Sequence, residues 1–292
     1  MTKPLIAFQG ALGAYSHEAC KAARPDHDPL PCRTFEECID AVLDGTADLA
    51  MLPVENSTYG RVADIHSLLP KSGLNIIDEA FVRVRISLMA KPGVKLDDVK
   101  SVRAHLVLLP QARSYLKDHG IRAVAAADSA GAAEELAASD HLDQGVLASE
   151  LAADTYGLNV LARDIEDHGH NTTRFLVMSR DPDYTRRGPN GGEAPQDGTM
   201  ITTFVFEVRN IPAALYKAMG GFATNGINMT KLESYMVGGS FTATQFYADI
   251  EGHPEDANVK LAMDELRYFT QMIEVLGVYP ADPQRHGLTG QG

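Results

Sequence analysis

The chain has 292 residues, 45% of them hydrophobic, and a formal net charge of −13. No apolar run reaches the length of a membrane span, and the opening Met1-Thr2-Lys3-Pro4-Leu5-Ile6 has no signal-peptide pattern, so a cytoplasmic protein without a membrane partner is expected. The acidic balance argues against a nucleic-acid surface, which needs clustered lysine and arginine, and three cysteines in no CxxC spacing point to neither a disulfide framework nor a zinc site.

Leu5-Ile6-Ala7-Phe8-Gln9 reads as a strand running into the loop Gly10-Ala11-Leu12-Gly13 and a helix from about Ser16. The free amides of such a loop can hold an anion at the helix start, and they serve equally in a turn with Ser16 as the cap. Thr34-Phe35-Glu36-Glu37 has the form of a capping box opening the next helix. Residues 48–54 read as a buried strand ending in the polar Glu55-Asn56-Ser57, with a helix over 62–69 after a turn at Gly60. A second α/β set starts near Arg85: a strand near 86–89, a candidate strand over 101–104 followed by His105, a helix over 109–119, a strand over 123–125, helices over 129–138 and 149–156, and strands near 160–165 and 174–178. Two α/β lobes are implied, the second spanning about 85–160.

Thr172-Thr173-Arg174-Phe175 follows the polar loop Asp167-His168-Gly169-His170-Asn171. Two hydroxyls and a guanidinium at a strand end suit the crevice where α/β proteins bind small ligands. The guanidinium fork fits a carboxylate, so a small organic acid is the expected ligand. The competing role pairs Arg174 with a surface carboxylate and leaves the threonines as strand formers. Because the field of an acidic protein repels such a ligand, attraction must come from local donors, arginine or helix N-termini. His168 and His170, with Asp164, Glu166 and Asp167 nearby, lack the helical HxxxH frame of a metal site, and none is expected.

Residues 181–199 carry three prolines and four glycines, as a linker does. Beyond it, strands over 202–208, 228–235, 242–250 and 272–279 alternate with helices over 213–224 and 254–269. That βαββαβ order is the ferredoxin-like motif.

Taken together, these residues resemble the bacterial prephenate dehydratase family, of the monofunctional type with a C-terminal ACT domain. The resemblance rests on Asn171-Thr172-Thr173-Arg174-Phe175, on Pro53-Val54-Glu55-Asn56-Ser57 with Gly60-Arg61-Val62, and on Asp128-Ser129-Ala130-Gly131-Ala132-Ala133 and Ala148-Ser149-Glu150-Leu151-Ala152-Ala153. Asn210-Ile211-Pro212-Ala213-Ala214-Leu215 stands at the family's Gly-Ala-Leu motif. Three departures are visible: Gly13-Ala14-Tyr15-Ser16 replaces Gly-Thr-Phe-Ser, Ala104-His105 replaces Ser-His, and Glu233-Ser234-Tyr235-Met236 replaces Glu-Ser-Arg-Pro.

The resemblance implies a bilobal catalytic domain like the type II periplasmic binding proteins over 1–180, the linker 181–199, an ACT domain over 200–280 and a tail over 281–292. It implies conversion of prephenate to phenylpyruvate, water and carbon dioxide in L-phenylalanine biosynthesis, with no metal or organic cofactor, in a homodimer or homotetramer inhibited by L-phenylalanine. Thr173 is assigned to the departing hydroxyl, with His105 as the alternative acid. Arg174 anchors a carboxylate or orders the cleft, Ser16, Asn56 and Ser57 hold the other anionic group, Tyr15 or Phe175 contacts the ring, and Thr172 adjoins the substrate. The effector candidates are Asn210, Ile211, Pro212, Ala213, Ala214, Leu215, Asn228, Glu233 and Ser234. A chorismate mutase segment has no room before Leu5. The rival readings are arogenate dehydratase and a non-catalytic amino-acid sensor.

Overall fold

The computed structural model describes residues 3–189, 199–209, 211–236 and 243–287. In chain order the elements are β1 (Leu5–Gln9), α1 (Tyr15–Ala23), β2 (Asp28–Cys32), α2 (Phe35–Leu43), β3 (Leu49–Asn56), β4 (Gly60–Arg61), α3 (Ala63–Leu68), β5 (Asn75–Arg83), β6 (Ser87–Ala90), β7 (Ser101–His105), α4 (Arg113–Asp118), β8 (Arg122–Ala126), α5 (Ser129–Ala138), β9 (Gln144–Ala148), α6 (Glu150–Tyr156) and β10 (Asn159–Ala162). There follow β11 (Thr172–Ser179), β12 (Met200–Val208), α7 (Ala214–Thr224), β13 (Met229–Met236), β14 (Ala243–Glu251), α8 (Ala257–Phe269), β15 (Thr270–Pro280) and α9 (Gln284–Gly287). Among the described residues no helix is long and apolar enough to cross a membrane. Residues 190–198 of the expected linker, the effector candidate Asn210 and the tail beyond Gly287 lie outside the described residues.

Two compact units emerge, one formed by residues up to Ile65 with Ala80–Phe175, the other by His66–Glu79 with residues from Leu176 on. The first unit holds two α/β lobes. In its first lobe β1 runs parallel to both β2 and β3. Leu49, Ala50, Met51, Leu52 and Val54 of β3 are buried, which accounts for its nearly unbroken apolar run. β2 contains Pro29 and Pro31 and pairs with β1 at the end of the strand order, an edge position where proline is tolerated.

The second lobe is a five-stranded sheet in the order β10-β6-β9-β7-β8. Side chains alternate across it: Leu88, Ala90 and Leu147 enter one apolar cluster with Val102 and Leu116, whereas Met89, Val146 and Ala148 enter another with Ala133, Leu136 and Ala152. The expected helix over 109–119 is a 3-10 turn, Leu109–Ala112, followed by α4. Two α/β lobes are what the sequence led one to expect for this part of the chain.

The second unit contains an antiparallel sheet ordered β13-β14-β12-β15. Its Phe204, Phe206, Phe246 and Ile250 pack with Phe222 of α7 and Val259 and Leu266 of α8, the ferredoxin-like plan of two helices on one face. Arg285 meets Glu79 through two bonds, Nε to Oε1 at 2.9 Å and Nη2 to Oε2 at 2.6 Å, and lies 3.9 Å from Asp249. Asp249 in turn accepts from Thr203 Oγ1 at 2.6 Å.

Candidate active site

The residues of the first unit converge on a cavity of about 270 Å³ between its two lobes. Two of its walls begin as strand-to-helix turns. Between β1 and α1 the backbone turns with φ 118° at Gly10 and 87° at Gly13, conformations that suit glycine. A Cβ on Gly13 would lie 2.6 Å from Ala152 Cα, so only glycine lets α6 approach this closely. Ser149, the cap of α6, donates to Gly13 O at 2.6 Å.

α1 starts at Ala14 with no side-chain cap, which leaves its first amides available to a ligand. Gly13 N donates to His17 Nδ1 at 2.9 Å, so that nitrogen carries no proton. Burial, with a smaller contribution from Lys21, holds His17 below the usual histidine range. Across the cavity α5 begins at Asp128, whose Oδ1 accepts from Gly131 N at 2.5 Å. The starts of α1, α5 and α6 all border the same space.

A further wall is formed by the ends of β3 and β11, which bring Asn56 and Thr173 to the cavity. Asn56 Oδ1 accepts from the amides of Thr58 at 2.9 Å and Tyr59 at 3.0 Å. Those amides can only donate, so the carboxamide has one possible orientation. Its Nδ2 therefore donates to Thr173 Oγ1 at 3.0 Å and to Asn171 Oδ1 at 2.6 Å. Asn171 Nδ2 donates to Gln111 Oε1, and Gln111 Nε2 donates to the carbonyl of Val107 at 2.8 Å. This chain of three amides is anchored on backbone groups at both ends. Asn56 occupies an acceptor position of the Thr173 hydroxyl, which leaves the Thr173 proton for the cavity.

Tyr15, Ser16, Asn56, His105 and Thr173 line the cavity; Ser57, Thr172, Arg174 and Phe175 do not. The reason is strand alternation, since neighbouring residues on β11 must face opposite ways. Arg174 is 2% exposed and pairs through Nη1 with Glu55 Oε1 at 3.0 Å. This pair joins β11 to β3, the two strands that carry Thr173 and Asn56. Phe175 is buried in the core at 1% exposure, whereas Tyr15 lines the cavity. Ser57 Oγ accepts from Thr172 N and donates to His170 O, each at 2.9 Å, a fastening of backbone to backbone.

Tyr15 donates to Arg85 O at 2.7 Å, and burial, assisted by Glu18 and Glu166, holds its phenol well above the usual tyrosine range. His105 Nδ1 accepts from Val107 N at 3.3 Å, which puts the proton of the neutral ring on Nε2.

Sequence reasoning passed over Gln9, Gln111, Asp128, Ser129, Ser149 and Asn171 as members of the site, all of which line it. Asp128 and Ser149 stood in recognisable helix-start positions after strands; Gln111, inside a 3-10 turn, carried no signal. Among the described lining residues none is lysine or arginine. Among the described residues, no three of His, Cys, Asp and Glu are grouped to hold a metal ion.

Residues 6–183 match the family model described as prephenate dehydratase. A bifunctional N-acyl-homoserine lactone acylase/prephenate dehydratase of Komagataeibacter europaeus is 50% identical over 281 residues, covering 96% of this chain and 97% of that protein. The arogenate dehydratase/prephenate dehydratase 1 of Arabidopsis thaliana is 36% identical over 295 residues, covering 96% of this chain and 73% of that protein. The crystal structure of an Arthrobacter aurescens prephenate dehydratase in complex with L-Phe superposes with a TM-score of 0.83 at 30% identity, covering 95% of this chain and 92% of that one. With the family model spanning more than half of its length, the chain belongs to the prephenate dehydratase family.

Proposed function

We propose that this chain is a single-activity dehydratase that turns prephenate into phenylpyruvate, water and carbon dioxide, with residues 1–180 as its catalytic part. The observation that supports this reading most is the Thr173 hydroxyl, which receives a bond from Asn56 Nδ2 and has its proton left for the cavity. A donor at that point assists the ring hydroxyl as its C–O bond breaks. The electron pair of the bond to the ring carboxylate moves into the ring, carbon dioxide leaves, and the ring becomes aromatic. One proton is consumed overall, so Thr173 acts as a relay, refilled from water or from Nε2 of His105.

A lining without lysine or arginine among its described residues suits this chemistry. A guanidinium on the departing carboxylate would stabilise the ground state and oppose its loss. Helix-start amides hold carboxylates by partial charges instead, and the cavity borders three such starts.

Residues 200–280 are read as an ACT domain in which L-phenylalanine is held at the start of α7 and along β13, in a homodimer or homotetramer. Ile211 and Pro212 are exposed, Ala213 adopts φ 59°, Ala214 is buried, Leu215 is half-buried, and Asn228 and Ser234 are exposed. Glu233 lies 3.6 Å from Lys231. The relative crystallised with L-Phe supports this reading.

A second reading, amide hydrolysis, follows the name of the Komagataeibacter relative. It is disfavoured by two of the hydroxyls of the cavity: Ser149 donates to Gly13 O, and Ser129 meets the backbone of His105 rather than its ring. The deciding experiment incubates purified protein with prephenate, with arogenate and with an N-acyl-homoserine lactone, with and without L-phenylalanine. Formation of phenylpyruvate, suppressed by phenylalanine, is expected; turnover of the lactone alone would overturn the reading.

A further inference from the structure

Resting on the dehydratase reading, we infer that Tyr59 is a positioning residue whose hydroxyl latches the first lobe to the second over bound substrate, bringing Asn56 and Thr173 together with His105 and Gln111.

Tyr59 lies in the turn that joins β3 to β4 in the first lobe. Its amide donates to Asn56 Oδ1 at 3.0 Å, one of the two bonds that fix the orientation of that carboxamide. Its phenol donates to the carbonyl of Val107 at 3.0 Å, in the second lobe just after β7. Val107 is where two side chains of that lobe are fastened: its amide donates to His105 Nδ1 at 3.3 Å and its carbonyl accepts from Gln111 Nε2 at 2.8 Å. One residue therefore joins the turn that orients Asn56 to the loop that orients His105 and Gln111. Asn56, His105, Val107 and Gln111 line the cavity and Tyr59 does not, so Tyr59 acts through them.

Other side-chain bonds cross the same cleft. Ser149 Oγ donates to Gly13 O in a buried setting, and Asn171 Nδ2 donates to Gln111 Oε1 in a partly buried one. The bond from Tyr59 is exposed, with 46% of Tyr59 and 40% of Val107 open to solvent. A donor and acceptor that part in water are solvated at once, whereas buried partners are left unsatisfied at a greater cost. Among these three bonds the one from Tyr59 is thus suited to open and re-form as ligand enters and leaves, and its closing shuts water out of the cavity. A bond made only in the closed arrangement favours that arrangement by its own free energy. A substrate that touches both lobes is then held more tightly by the same factor.

The test compares steady-state constants for prephenate in the wild-type protein and in Tyr59→Phe, which keeps the ring and the backbone bond to Asn56 and removes one hydroxyl. Loss of one exposed neutral hydrogen bond should lower kcat/KM roughly three- to tenfold. The loss should appear in KM, with kcat within about twofold, because substrate at saturation still closes the cleft. Inhibition by added phenylpyruvate should weaken by a similar factor. A merely structural role would lower the melting temperature and leave both constants where they are. A kcat/KM within about 1.5-fold of wild type overturns the assignment, and so does a fall confined to kcat, which would put the hydroxyl in the chemistry. Tyr59→Ala separates ring from hydroxyl: if it is impaired while Tyr59→Phe is normal, packing of the ring is at work and the latch is overturned. Failure of the wild type to turn over prephenate removes the dehydratase reading and this one with it. Normal wild-type turnover with unaltered constants in Tyr59→Phe removes this one alone.

Discussion

Around the cavity of the first unit, the arginine that the motif supplies is turned away from the reacting space. Arg174 meets Glu55 on the far face of β11, and the lining is made largely of amides, hydroxyls and helix starts. In the second unit charge is gathered into the interior instead: the side chains of Glu79 and Asp249 are fully buried and Arg285 lies between them. The contrast separates two uses of polarity. A buried ion cluster is a fastening, expensive to desolvate and costly to break. A reacting site works better with neutral donors whose pull on a substrate differs between ground state and transition state.

Removing the donor itself gives the largest expected effect. Thr173→Ala should lower kcat about a thousandfold, roughly 4 kcal/mol of barrier, with an unchanged melting temperature, whereas Thr173→Ser should retain much of the rate. Steady-state assays beside thermal melts decide it, and a rate within tenfold of wild type would remove Thr173 from the mechanism. On the other side of the comparison, Arg285→Ala removes the cation that faces the buried carboxylates of Glu79 and Asp249 and should cost about 3 kcal/mol of folding stability. Urea titration reads this directly; a loss under about 1 kcal/mol would mean that water compensates the cluster, against the usual cost of a buried unpaired charge.

The same contrast explains what the sequence disclosed. Lobes, helix caps and the βαββαβ order are local and periodic, so they were legible. β5 was not, because Asp78 and Glu79 interrupt an apolar strand; both are buried, and Glu79 meets Arg285 from over two hundred residues away. β2 was hidden by its two prolines. Thr173 and Asn56 were legible as polar strand ends, but which of its two expected roles Arg174 takes was not, because that depends on strand alternation and on its pairing with Glu55. Gln111 joins the site through a bond to Asn171, a tertiary contact with no local signature.

Glu18 tests how far the first unit tolerates a buried charge. Burial, opposed by Ser149 and raised further by Glu150, with Arg85 and Lys21 lowering it, pushes its carboxyl from 4.5 to about 7. The folded chain therefore holds a proton that the unfolded chain releases, and stability falls as pH rises from 4.5 towards 7. The loss persists above that window. Glu18→Gln, neutral throughout, should be more stable than wild type by about 2 kcal/mol at alkaline pH, with the difference vanishing in acid. Denaturation midpoints across the pH range check this, and a constant offset would show that Glu18 is solvated.

The smallest effect compares the two units' strand-to-helix turns. Between β1 and α1 the positive φ values fall on Gly10 and Gly13, but between β12 and α7 the residue with φ 59° is Ala213. A Cβ in the left-handed region costs about 1–2 kcal/mol, and glycine gives back part of that gain, about 0.4–1 kcal/mol, through the larger entropy of its unfolded state. Ala213→Gly should therefore raise stability by about 0.5–1 kcal/mol, a small upward shift in melting temperature. If the substitution lowers the melting temperature, the alanine methyl makes packing contacts worth more than the strain it causes, and the turn is held by its neighbours rather than tolerated by them.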